Sequence, residues 1–124
     1  MKAFSDLEQS KKLAEFLPLE SADMYWWSSG KRYYIEAMDD GDFNEEEGHI
    51  RAWSLAALIN IIPQELFDGE YIINITEGID NKWIITYDHY ENRNHSFYGL
   101  SAGADNLVDA CYEMIIKLHE QNLL

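Results

Sequence analysis

Basic residues are scarce in this chain, with 9 Lys and Arg against 23 Asp and Glu, for a formal net charge of −14. Tight binding to nucleic-acid phosphate needs a basic face. Only Lys11-Lys12 and Lys31-Arg32 set two bases side by side, so direct nucleic-acid binding is not expected. There is a single cysteine, Cys111, which excludes an internal disulfide and a cysteine zinc cluster. Long hydrophobic runs are missing too. The longest, Leu55 to Ile62, is broken by Asn60 and is far too short to cross a bilayer. The first residues, Met1 to Asp6, contain no apolar signal core, so the cytoplasm is the expected setting and no membrane partner is expected. No glycine-rich phosphate cradle is present. Proline occurs twice, at Pro18 and Pro63, and each position marks the end of a helical pattern.

What remains is a globular composition. The chain has 124 residues, 47% of them apolar and 14% aromatic. That suits one domain over residues 1–124 with a core large enough to fold without staples.

Three segments carry helical periodicity. Ser5 and Glu8 are spaced as a capping box, and Leu7, Ser10, Leu13, Ala14 and Leu17 follow at helical intervals up to Pro18. Ser54 caps a second helix, with Trp53 and Leu58 placed as a hydrophobic staple. Its nearly all-round apolar surface predicts a central position. A third helix starts at Asp105 or Asn106 and aligns Val108, Cys111, Ile115 and Leu118. On that stripe Cys111 reads as a small buried hydrophobe.

Two segments read as hairpins. Tyr25-Trp26-Trp27 and Tyr33-Tyr34-Ile35 flank Ser28 to Lys31, where Gly30 can take positive φ. Tyr71, Ile73 and Ile75 alternate against Trp83, Ile85 and Tyr87 around a turn at residues 78–81. Ser96 to Leu100 adds a short strand. The expected fold is α+β: a four- or five-stranded antiparallel sheet with about three helices packed mainly on one face.

The segments Pro18 to Tyr25, Ala52 to Pro63 and Asp109 to Glu120 resemble a group of small uncharacterised proteins of gut anaerobic bacteria, their phages and mobile elements. The resemblance implies a bacterial or phage cytosolic setting and assigns no catalytic residue.

Chemistry is hard to find. His49, His89, His95 and His119 are scattered. Asp88, His89, Glu91 and His95 flank a turn, but their spacing matches no strong metal motif. Residues 39–48 form an acidic loop. From Glu36 to Glu47 there are seven acids (Glu36, Asp39, Asp40, Asp42, Glu45, Glu46, Glu47) and no base. The pattern partly imitates a calcium loop starting at Glu36, with Met38 in a ligand position as its main fault. The expected role is therefore a non-enzymatic acidic module for a protein partner with a basic surface. Asp39, Asp40, Asp42, Glu45, Glu46 and Glu47 are the candidate contacts, with Trp26 and Trp27 as aromatic anchors. A sharper form of that reading is a mimic of nucleic-acid phosphates. A small enzyme with a non-local site and a weak calcium-binding regulator are the alternatives. No cofactor and no metal site are called for.

Overall fold

The computed structural model describes residues 2–39 and 41–124. Its first helix, α1 (Leu7–Ala14), starts one residue later than the Ser5 pattern predicts. Asp6 is the N-cap: its carboxylate accepts from the Gln9 amide at 2.8 Å, and the Gln9 side chain accepts from the Asp6 amide at 3.0 Å. This is a capping box built on Asp and Gln rather than on Ser5 and Glu8. Ser5 is fully buried and used elsewhere: its hydroxyl pairs with Ser10 and accepts from the Trp53 amide. A cap exposed to water can be exchanged for another, whereas a buried hydroxyl must be satisfied. The α-helix stops at Ala14, three residues short of Leu17.

The first hairpin forms as the pattern requires. Strands β1 (Met24–Ser29) and β2 (Arg32–Ala37) pair antiparallel, Ser29 opposite Arg32. Gly30 turns the chain at φ +66°, a value that costs glycine no Cβ clash. A short strand, β3 (Ile50–Ala52), joins the other side of β1. This makes a three-stranded sheet in the order β2-β1-β3.

The second sheet has four antiparallel strands: β4 (Glu65–Leu66), β5 (Tyr71–Glu77), β6 (Trp83–His89) and β7 (Ser96–Ala104), side by side in that order. The fold is therefore α+β, but the two hairpins belong to separate sheets rather than one layer. The last strand runs on to Ala104, past the end expected at Leu100.

Helix α2 (Leu55–Ile61) is capped by Ser54, which accepts from the Ala57 amide. It is not central. Only Leu58 of its residues is buried, and Ile59 is 40% exposed. Helix α3 (Leu107–Glu120), capped by Asn106, is the central one. Val108, Ala110, Cys111, Met114, Ile115 and Leu118 are all fully buried as α3 lies against β7 and β6 with α2 alongside. At about 1.5–3 kcal/mol for each large side chain taken out of water, this stripe is a main source of stability. Trp53, Leu13, Ile85, Tyr87 and Leu100 close the same core. The Tyr87 hydroxyl donates to the Pro63 carbonyl at 2.5 Å, and burial holds that phenol well above its usual pKa.

Candidate functional site

The acidic segment is more ordered than a loop of glycines and acids suggests. Asn44 caps one turn of 3-10 helix, Glu45–Glu47, its side-chain oxygen accepting a hydrogen bond from the Glu46 backbone N–H at 2.9 Å. Gly48 ends the turn at φ +85°, a left-handed cap suited to glycine. Under this turn lies a small aromatic cluster. Phe43 meets Tyr25 edge-on at 5.7 Å between centroids, and His49 stacks on Tyr25 at 5.1 Å. Tyr25 is only 3% exposed yet lies outside the main core. The segment thus folds over a second, local core on β1.

Polar contacts fix the rest. The Asn44 amide donates to His49 Nδ1 at 3.0 Å. That leaves the proton of the neutral ring on Nε2, which lies 3.8 Å from Glu47. The Tyr25 hydroxyl donates to Glu36 at 2.9 Å. This bond, with burial and the charges of Asp42 and Asp39, raises the Tyr25 pKa. Glu45 accepts from Arg51 Nε at 3.0 Å. Asp39, Asp42, Glu45, Glu46 and Glu47 all have exposed side chains. Asp40 lies outside the described residues.

The two tryptophans do not share a surface, because neighbours on a strand point to opposite faces. Trp26 meets Phe4 edge-on at 5.7 Å and donates its indole N–H to the Ser5 carbonyl at 3.2 Å. It pins the N-terminal segment to β1. Trp27 stacks on Tyr34 at 4.8 Å, and its indole nitrogen is buried with no hydrogen-bond partner among the described residues. Sequence reading missed the residues that organise the site, namely Tyr25, Phe43, His49 and Arg51. Their only signal was the alternation of Tyr25 with Trp27 along β1.

Among the described residues, the calcium pattern is not assembled. Glu36 sits on a strand and takes the Tyr25 hydroxyl, while Glu47 faces His49. The pattern across the second turn is also split. Asp88 turns inward, accepting from Asn74 at 3.0 Å and from Ser96 at 2.7 Å. His89, on the opposite face, accepts from the Glu91 amide through Nδ1 and approaches Glu70 at 3.8 Å. It lines an open depression of about 540 Å³ with Asp68, Glu70, Tyr90 and Glu91. No serine, threonine or cysteine stands in this depression. Among the described residues, no group of three or more His, Cys, Asp or Glu is placed to hold a metal ion. Also among them, no helix is long and apolar enough to cross a membrane.

Cys111 has no nucleophilic character. It is fully buried on α3, and that burial pushes its thiol up to about 11. Ser54 is bonded to Asp23 through both its amide and its hydroxyl, with no histidine in the chain of bonds.

No protein-family model, curated protein or solved structure matches the chain.

Proposed function

We propose that the protein is a non-enzymatic interaction module whose acidic segment, residues 39–47, receives a basic surface of a protein partner. One observation carries the reading: Glu45, Glu46 and Glu47 sit on an anchored turn rather than a trailing loop. Tyr25, Phe43 and His49 hold the turn from below, and Arg51 holds it from the side. An ordered display costs less conformational entropy on binding than a floppy one. Attraction between the net charge of −14 and a basic partner speeds their encounter.

The form of the display favours the general version over a phosphate mimic. A 3-10 turn has three residues per turn, so consecutive side chains fan apart by about 120°. Glu45 turns to Arg51, and Glu46 and Glu47 then point elsewhere. The result is a knob of charge, while a phosphate mimic needs a spaced row. The resemblance to small proteins of gut anaerobes and their phages supplies the proposed setting, a bacterial cytosol.

The test compares two triple variants with the same net charge. Asp42→Asn/Glu46→Gln/Glu47→Gln removes the display, and Glu20→Gln/Asp80→Asn/Glu120→Gln removes exposed acids elsewhere. The wild type and the second variant should capture a basic protein from bacterial lysate in a salt-sensitive way, and the first should not. Equal capture by both variants would reduce the effect to bulk charge and sink the reading.

A further inference from the structure

Sheet edges offer unpaired backbone groups to other strands, and folded proteins blunt them. Among the described residues, three of the four edges are blunted. The edge beyond β3, a strand of only three residues, is closed where the chain leaves it by the N-terminal segment: the Ser5 amide donates to the Trp53 carbonyl at 2.8 Å, the Leu55 amide donates to the Ala3 carbonyl at 3.0 Å, and Phe4 bridges Ser54. Strand β4 has only two residues. On β7, the carbonyl of Ser101 accepts from Lys117 of α3 and that of Gly99 from Gln121, the C-cap residue of α3.

Strand β2 has no such cover. Among the described residues its outer side meets no other strand, and every side chain but Ile35 is exposed. The two-residue turn makes Ser29 and Arg32 a hydrogen-bonded pair. Alternation then aims the backbone groups of Arg32, Tyr34 and Glu36 at β1 and those of Tyr33, Ile35 and Ala37 outward. No bond from these outward groups is present among the described residues.

We propose that β2 is the docking edge for a second copy of this chain, added antiparallel about a two-fold axis at Tyr34. The charge order along the strand selects that occupant. Arg32 stands at one end of β2, next to Lys31, and Glu36 near the other. A uniformly basic strand would meet Lys31 and Arg32 with like charge, and a parallel copy would set like against like along its length. An antiparallel copy is complementary to itself, as an isologous contact requires. With Tyr34 opposite Tyr34, Arg32 faces Glu36 of the second copy and Glu36 faces its Arg32. Tyr33 and Ile35 exchange their outward backbone bonds with Ile35 and Tyr33. Cross-strand pairs of opposite charge and of aromatics both favour this register. The Trp27–Tyr34 stack extends across the axis into a ladder of four rings.

Sedimentation velocity on the full chain tests it, from about 10 µM to about 1 mM. The wild type should pass from monomer to dimer over this range. Tyr33→Pro removes an outward N–H that β1 does not use, a position where an edge strand tolerates proline. It should weaken the dimer at least about tenfold, with circular dichroism and Tm showing the fold intact. Arg32→Glu and Glu36→Arg should each be monomeric alone, since each sets like charges opposite one another. Mixed together they should form a heterodimer. A wild type that stays monomeric throughout, a dimer that survives Tyr33→Pro, or a mixture that fails to associate would each overturn the proposal.

Discussion

Arg51 Nε donates to the Glu45 carboxylate at 3.0 Å while the far end of the same guanidinium reaches the C-terminal end of α1. Its two terminal nitrogens donate to the carbonyls of Leu17 and Ala14, at 2.9 and 3.3 Å. One planar fork thus ties the acidic turn, the end of a helix and β3 together, a geometry a lysine cannot reproduce.

Arg51→Ala should cost about 2 kcal/mol, because it leaves helix-end carbonyls without a charged donor. Arg51→Lys should recover less than half of that. Glu45→Ala should cost well under about 1 kcal/mol, since that carboxylate is mostly in water. Urea unfolding followed by tryptophan fluorescence measures all three. Equal losses for Arg51→Ala and Glu45→Ala would show that the ion pair, rather than the carbonyl bonds, carries the stability.

Phe43→Ala should loosen the acidic segment without unfolding the main core, because Tyr25 and its ring neighbours lie outside that core. Amide exchange at residues 44–49 should accelerate by at least about tenfold, and exchange in α3 should hardly change. Uniform acceleration through both regions would mean that the local cluster is part of the global unit.

A second charged network ties the N-terminus to α3. Lys2 Nζ lies 2.8 Å from Asp6 and 2.7 Å from Asp109, and Asp109 also accepts from Gln9 at 2.7 Å. Burial opposes charge on both carboxylates, but their hydrogen bonds outweigh it. The Gln9 amide and Lys2 lower Asp6; Lys2, Gln9 and Asn106 lower Asp109. Burial likewise opposes charge on Lys2, and its bonds to Asp109 and Asp6 raise it nonetheless. Depressed carboxylates stabilise the fold above their ordinary value of 3.8 and lose that contribution as pH falls through the folded value. The raised ammonium stabilises below 10.5 and loses its contribution as pH rises through its folded value. Asp109→Asn should therefore lower stability by about 1 kcal/mol at pH 7, discounted for partial exposure, and the gap to wild type should close below pH 4. Thermal melts of both proteins across pH 2–7 measure that gap. A constant difference would remove Asp109 from the linkage.

Cys111 should resist an aromatic disulfide reagent at pH 8 in the native protein, because its buried thiol titrates only near 11. Labelling should become rapid in denaturant, at a rate that follows unfolding. Fast labelling of the folded chain would place the thiol near the surface and contradict the packing of α3.

Local patterns were readable where one short segment settles its own conformation. Gly30 fixed the first turn, Ser54 and Asn106 capped their helices, and the stripe from Val108 to Leu118 buried as its period required. Patterns that depend on a neighbour misled. Ser5 has the chemistry of a cap, but Trp53, 48 residues away, claims its hydroxyl. Leu55 to Ile62 has a nearly all-round apolar surface, but α3 takes the central place and leaves Ile59 40% exposed. The aromatic floor beneath the acidic turn draws on Tyr25, Phe43 and His49, whose sequence positions carry no shared spacing.

By itself, then, the sequence determined the class of the fold, the excess of carboxylates and the N-terminal caps of its second and third helices. Each of these follows from composition or from residues within one turn of each other. The tertiary structure alone decided that the hairpins enter different sheets, that the acidic segment is pinned by Arg51, and that β2 keeps an open edge. Those outcomes depend on which distant surfaces meet, and chain-remote contacts leave no periodic trace in a single sequence.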